Sequence, residues 1–317
     1  MAMNKESTTF RTPEQEKQMS RLFEDAATAA VKLALKKVDL DRLGLQRLLG
    51  HGDEVKSAFN DVAIALAKKF ETEDTFSKEV TVSNCTYPSH YKGPGPIKQQ
   101  IEAVAKYFQL DPAKALRFIQ NLPELPEGAE GWFAIPSYRA LARREDPATY
   151  DKKEQYFIAA NYVCSARSQQ SRKVGFENSF KAKLNADYLE LDAKTAYAYD
   201  KLMEDQDNSD ILVVACQTGM KYRGESVRRA IVTFQPNEFG LDIVAGMSID
   251  IVHPTRFTCF SELDMDLPGN RHYSGIGNRI VDSPFMYFRQ SLRLQLDTGR
   301  SGCCGEHYGS ASGFLPQ

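Results

Sequence analysis

The sequence lacks both a long apolar run and a large net charge. No stretch approaches the roughly 18 consecutive apolar residues that a membrane-spanning helix needs, so no membrane partner is predicted. The N-terminal segment is polar and has no apolar core of the kind found in secretory signals, so a cytoplasmic location is expected. A formal net charge of -2 on 317 residues argues against a protein that coats nucleic acid over its whole surface, although a local basic patch is compatible with it.

The motifs of the common nucleotide-binding and hydrolytic enzymes are also missing. The chain contains no GxxxxGK[ST] phosphate loop, no HExxH zinc helix, no GxSxG nucleophile turn and no GxGxxG after a predicted strand. Its six cysteines are spread out, without a CxxC pair or the spacing of a disulfide framework, which favours reduced thiols. We therefore predict no cofactor and no metal site, and whether the protein is an enzyme is left open.

Two cysteine-containing groups are weaker candidates for chemistry. Cys216 follows a predicted strand and would be a nucleophile if His253 lay beside it, with Asp250 orienting the ring. Simple packing of a buried thiol is the favoured interpretation. Cys303 and Cys304, close to a histidine, suggest zinc only weakly because adjacent cysteines chelate poorly.

What is present is a globular composition, with 42% hydrophobic and 26% charged residues. Apolar residues at helical spacing predict a helical region over residues 1–75, and their stripe is typical of an internal core or, less often, of a partner-binding face. The glycine- and proline-rich end of residues 76–96 predicts a linker. Residues 97–317 are expected to form an α+β domain that opens with two short helices, more typical of an αα-hairpin than of a DNA-binding helix-turn-helix.

Strand signals in the second half predict a largely antiparallel sheet, which makes the fold class α+β. Residues 211–215 predict a central strand because the run is short, apolar and β-branched. Residues 132–136 predict a short buried strand, and leucines alternate with polar residues over 292–297, where 284–290 is the expected partner. We predict helices over 151–166, 185–204 and 241–252, although alternation at the end of the last segment also fits a strand.

The strongest candidate site is the basic loop that follows the central strand. It combines four cations with a hydroxyl, and arginine offers a planar fork that matches phosphate or carboxylate oxygens. Loops at strand ends commonly carry ligands, so anion binding competes here with a surface ion-pair network. The residues of this predicted site are Lys221, Arg223, Ser226, Arg228 and Arg229.

A second basic segment could extend that surface toward nucleic acid. Two phenylalanines, Phe176 and Phe180, interleave with its cations, as in proteins that stack bases and track phosphates, although a solvated loop is the favoured interpretation. The cations of this segment are Arg167, Arg172, Lys173, Lys181 and Lys183.

Acidic and apolar residues alternate over 262–267, which predicts a half-buried strand with Glu262, Asp264 and Asp266 on one face. Three carboxylates on one face could grip a hard cation. A solvated outer face explains the same alternation and is the favoured interpretation.

Several short segments carry a resemblance: GWFAIP at 131–136, DILVV at 210–214, RGESVRRA at 223–230, NEFGL at 237–241 and GSASGFLPQ at 309–317. Through them, the chain from about Leu125 onward resembles a family of uncharacterised bacterial proteins known largely from environmental sequences. It differs from that family over residues 263–269. The resemblance implies no activity, catalytic residue or substrate.

Three functions are expected from these patterns. The first is a cytoplasmic binding protein that holds a phosphate-bearing partner, nucleic acid or nucleotide, through the basic loop. The second is a hydrolase or phosphotransferase that combines the same cations with Asp250, Asp264 and Asp266. The third is a protein-interaction module whose N-terminal helices dock a protein partner.

Overall fold

The computed structural model describes residues 13–38, 41–69, 76–170, 174–181, 184–273 and 281–316. The chain divides into two compact units, Met1–Thr75 and Phe76–Gln317. No described helix is long and apolar enough to cross a membrane. The α+β class and the helical N-terminal region are confirmed.

The first unit contains three described helices. They are α1 (Pro13–Lys37), α2 (Arg42–Gly50) and α3 (Gly52–Lys69). Part of the apolar stripe that predicted an internal core is exposed: Met19 is 42% exposed, Leu22 66% and Val62 56%. For these side chains the predicted packing is wrong.

The second unit is built on two sheets. The first has the order β1-β4-β10-β5 and is antiparallel throughout, and β4 is buried along its whole length, as expected for the predicted central strand. Its strands are β1 (Gly131–Pro136), β4 (Ile211–Gln217), β5 (Glu238–Gly240) and β10 (Ser312–Phe314).

The second sheet has the order β2-β9-β8-β7-β3, and β6 also pairs with β8. Only the β2–β9 pair is parallel among its described pairings, so the largely antiparallel arrangement is confirmed. The strands are β2 (Gly175–Asn178), β3 (Leu189–Leu191), β6 (Met265–Asp266), β7 (Asn270–Tyr273), β8 (Val281–Arg289) and β9 (Arg293–Arg300).

Seven described α-helices surround these sheets. Helix α4 packs on β1 and helix α5 on β4, so the two leading helices belong to the body of the domain. The helices are α4 (Ile97–Phe108), α5 (Ala113–Phe118), α6 (Tyr138–Glu145), α7 (Lys152–Ser168), α8 (Ala193–Asp205), α9 (Val227–Thr233) and α10 (Ile243–Val252).

Two helix predictions had different outcomes. The helix predicted over 241–252 is confirmed as α10, whose first turn is capped by the Asp242 carboxylate accepting a hydrogen bond from the Ala245 amide at 2.9 Å. The helix predicted over 185–204 is wrong in its first half, because Leu189 pairs with His272 in β3. Helix α8 begins only after Asp192, which accepts from the Lys194 amide.

Residues 76–96, expected to be a linker, lie within the second unit. The Thr81 amide donates to the Gly224 carbonyl at 2.8 Å, and the Leu263 amide donates to the Thr86 carbonyl at 3.0 Å. Tyr91 is only 7% exposed. This segment therefore crosses the loops that follow β4 and α10 and holds them in place.

Candidate functional site: an arginine-lined groove

The basic loop leaves β4 through tight glycine turns. Gly219 and Gly224 have φ angles of +128° and +80°, in the region that side chains rarely adopt. A Cβ on Gly224 would collide with the Thr81 carbonyl oxygen. The segment over residues 76–96 that crosses this loop, the crossing segment, therefore requires glycine at position 224. Ser226 ends the loop as the N-cap of α9, accepting a hydrogen bond from the Arg229 amide at 3.2 Å.

The cations of this loop are each directed to a different partner. Lys221 Nζ lies 2.7 Å from the Oε2 atom of the fully buried Glu238. Arg229 Nε lies 3.6 Å from Glu225, and Arg223 donates to the Cys85 carbonyl at 3.2 Å. The loop is therefore an ion-pair network, and its cations do not converge on one pocket.

Ser226 and Arg228 share the carboxylate of Glu79. The Ser226 hydroxyl donates to Glu79 Oε2 at 2.7 Å, and Arg228 forms a two-point pair with both oxygens of the same group. This hydrogen bonding to Arg228 lowers the pKa of Glu79 and raises the pKa of Arg228. Ser226 is fully buried, so it supports α9 and does not face a ligand.

Arg228 also borders a groove that brings together arginines from distant parts of the chain. The groove has a volume of about 680 Å³, within the range of about 300–1,000 Å³ typical of small-molecule sites. Its wall is formed by α9, the ends of β7 and β8, and the turn after β9. Three arginines line it: Arg228, Arg271 and Arg300.

Two of these guanidinium groups are held by internal contacts. Arg228 lies 4.5 Å from the centre of the Phe76 ring, and a Cβ on Gly302 would come within 2.7 Å of its Cζ atom. Arg271 Nη2 lies 2.6 Å from Asp192. A guanidinium has five N–H donors, so a single carboxylate partner leaves donors for a ligand.

The third guanidinium belongs to Arg300, which is exposed and has no hydrogen bond or ion pair from its side chain to any described residue. Asp282 also lines the groove, opposite Arg300 in the strand register. Its Oδ1 atom is buried without a hydrogen-bond partner among the described residues, and Oδ2 lies 3.9 Å from His272 Nδ1. Arg300 is thus the freest cation of the groove.

Apolar side chains form the rest of the lining. Ile231 and Val281 are 37% and 36% exposed, and Val227 and Pro268 also contribute. The groove can therefore contact an apolar or planar part of a ligand while its arginines contact an anionic part.

The second basic segment does not form the predicted surface at its first residue. Arg167 is 1% exposed and forms an ion pair with Asp250, which is equally buried. Its guanidinium lies 5.7 Å from the Phe176 ring centre, while Lys181 is exposed. The remaining predicted members, Arg172, Lys173 and Lys183, lie outside the described residues.

The acidic stripe is not a solvated outer face. Asp266 is 6% exposed, and the apolar residues on either side of it are buried as well. Burial raises the pKa of Asp264 to about 8, with the Asp266 charge adding to the effect and Arg256 opposing it. Burial alone raises the pKa of Asp266 to about 7. Asp250 forms an ion pair with Arg167. Asp250 is therefore not available to act with Asp264 and Asp266 in the site proposed for an enzyme.

The cysteine groups also have other partners. Cys216 is fully buried in β4, and His253 Nε2 lies 3.1 Å from Gln100 Oε1. Because Asp250 pairs with Arg167, the proposed thiol, imidazole and carboxylate are not assembled. In the described part of the chain, no three His, Cys, Asp or Glu side chains are placed to hold a metal ion.

Sequence reasoning found one of the three groove arginines and missed Arg271 and Arg300. These two lie at strand ends, each among residues with no local excess of positive charge. The pairing of β7 with β8 and of β8 with β9 brings these two arginines to the same end of neighbouring strands.

Comparison of the chain with protein-family models, curated proteins and solved structures gave no match. The resemblance to a bacterial family therefore stays a prediction, and the candidate site depends on geometry alone.

Proposed function

We propose that this protein binds a small phosphate-bearing ligand of nucleotide size in the arginine-lined groove. The observation that carries the proposal is the meeting of Arg228, Arg271 and Arg300 around a cavity of about 680 Å³. Arginine forks match phosphate oxygens, and charge-assisted hydrogen bonds of this kind are the strong ones.

Two features favour a nucleotide-sized ligand over an extended nucleic acid. The groove combines cations with apolar side chains, which suits a ligand that has an anionic end and a planar apolar end. The basic segment that was expected to lengthen the surface starts with Arg167, which is buried against Asp250. A long phosphate-tracking path therefore has less support than a compact site.

The test is titration of the full chain with adenosine and guanosine mono-, di- and triphosphates by isothermal calorimetry, at low and at physiological salt. We expect binding that weakens as salt increases, because the arginines act on charge. Arg300→Gln removes the freest cation, and the loss of one charge-assisted hydrogen bond costs about 1.5–3 kcal/mol. That corresponds to a Kd roughly tenfold or more higher.

Arg293→Gln is the matched control, because Arg293 is an exposed arginine at the other end of β9 and does not line the groove. It should leave the Kd within about twofold, since surface charges outside a site contribute little. Absence of heat with every nucleotide at low salt contradicts the proposal. An equal loss of affinity in both variants would place the binding site elsewhere.

A further inference from the structure

A second group of reactive side chains lies where several loops meet, apart from the residues that line the groove. The Asp264 amide donates to the His307 carbonyl at 2.8 Å, and the Gly224 amide donates to the Tyr308 carbonyl at 2.8 Å. The Ser83 hydroxyl donates to the Glu306 carbonyl. These bonds join the crossing segment, the basic loop, the acidic stripe and the turn before β10.

At this junction a thiol faces an imidazole. Cys85 Sγ lies 3.1 Å from His307 Nδ1, and the other ring nitrogen, Nε2, lies 3.3 Å from Glu306 Oε1. Cys85 is partly exposed, and the His307 side chain is 38% exposed, so small molecules can reach both. A nucleophile, a base within hydrogen-bond reach and a group that orients the base are the three parts of a nucleophilic site.

The surroundings keep the thiol protonated at rest. Burial raises the pKa of Cys85, and the nearby Glu306 carboxylate raises it further, while Ser83 and Arg223 act in the opposite direction. A thiol of this kind becomes a nucleophile only if a base takes its proton as it attacks. His307 is in the position to do so.

Two polar groups that act electrostatically on the Cys85 thiol, Arg223 and Asp264, are candidate hydrogen-bond donors to a developing oxyanion. The Arg223 guanidinium reaches this junction, donating to the Cys85 carbonyl at 3.2 Å. Because burial raises the pKa of Asp264 to about 8, its carboxyl group is largely protonated at neutral pH and can donate a hydrogen bond. The Asp264 side chain makes no hydrogen bond to any described residue, so this donor is uncommitted.

We propose that Cys85 and His307 are the nucleophile and general base of an acyl-transfer site that hydrolyses esters or thioesters. In the first step, Cys85 Sγ forms a bond to the acyl carbon while His307 Nδ1 takes the thiol proton. The bond to the leaving alcohol or thiol then breaks, and His307 returns the proton to it. Water then attacks the acyl carbon of the resulting thioester while His307 takes a proton from it. The bond to Cys85 Sγ breaks, the carboxylic acid leaves, and His307 returns the proton to the Cys85 sulfur.

The site is tested on the full chain with 4-nitrophenyl acetate, which needs no knowledge of the natural substrate. After quenching in acid, mass spectrometry measures the acetylation of each cysteine against time. We expect Cys85 to be acetylated first, with a burst of nitrophenolate near one equivalent. The exposed Cys259 and Cys303 in the same molecules serve as internal controls.

His307→Gln should slow acetylation of Cys85 by about 100-fold, the usual contribution of a general base, and should leave Cys259 and Cys303 within about twofold of the native rates. The acetylation rates of Cys85, Cys259 and Cys303 are compared within the native protein. This comparison tests the proposal even if His307→Gln does not fold. Acetylation of Cys85 no faster than that of Cys303, or a Cys85 rate that does not change in a folded His307→Gln protein, overturns the proposal.

Discussion

The buried ion pair between Arg167 and Asp250 gives the sharpest test of how this domain is held together. Both side chains are 1% exposed, and Arg167 Nε lies 2.5 Å from Asp250 Oδ2. Arg167 also donates to the Val174 carbonyl at 3.3 Å, and Asp250 is its only carboxylate partner among the described residues. We predict that Asp250→Asn destabilises the second unit strongly, because it leaves a positive charge buried without its counter-charge.

The magnitude follows from burial. Removing one partner of a buried pair costs about 3–5 kcal/mol, whereas exposed pairs contribute about 0–1 kcal/mol. For a unit of this size, about 3–5 kcal/mol lowers the Tm by roughly 6–20 °C. Glu204→Gln is the matched control, because Lys201 and Glu204 form an ion pair with side chains 44% and 70% exposed.

The assay is urea unfolding followed by the fluorescence of Trp132, the single tryptophan, which lies in β1 of the second unit. The free energy of unfolding should fall by about 3–5 kcal/mol in Asp250→Asn and by less than about 1 kcal/mol in Glu204→Gln. Equal losses in the two variants would refute the reasoning. They would mean that the Arg167 charge finds compensation without Asp250.

Two further predictions concern the loop junction. Burial raises the pKa of Asp264 to about 8 and that of Asp266 to about 7. Between pH 4 and these values the folded state therefore holds protons that the unfolded state has lost. The free energy of unfolding should fall as pH rises from about 4 toward 8. Urea unfolding at pH 5 and pH 8 should show a smaller difference in Asp264→Asn than in the native protein, and an unchanged difference would contradict the raised pKa. Gly224→Ala should lower the free energy of unfolding by about 1–3 kcal/mol, because it combines a positive φ with a collision at the Thr81 carbonyl. Gly95→Ala is the control and should leave the free energy of unfolding nearly unchanged, because open space surrounds that position. Thermal unfolding of both variants measures this, and equal Tm values would show that the crossing segment yields without strain.

The sequence was most informative where a segment is buried on a simple period. The central strand β4 and the β8–β9 hairpin follow from apolar runs and alternation, because a sheet buries residues in patterns that are visible locally. The same logic failed at residues 185–204. There β3 pairs with β7, and a short strand at a sheet edge has no periodicity of its own long enough to compete with the helical pattern that follows.

Patterns of charged residues predicted the structure less well than patterns of apolar residues. Alternation over 262–267 suggested that one face of a strand is exposed to solvent, yet Asp266 is buried and Asp264 is half-buried. Burial raises the pKa values of both carboxyl groups. The cluster from Lys221 to Arg229 suggested a shared anion site, yet Glu79 and Glu238 reach its cations from other parts of the chain, and Glu225 pairs with Arg229 within the loop. Local sequence shows which charges exist but not which opposite charges the fold brings to them.

The residue pattern alone predicts the α+β fold class, the helical N-terminal region and the central strand β4. These features depend on apolar periodicity within single segments. Tertiary structure decided which polar groups meet. Arg228, Arg271 and Arg300 share a groove, and Cys85 faces His307, only because strands and loops distant in sequence pack together. Packing also sets the exposure of each group, so the chemistry of both sites is a property of the folded molecule.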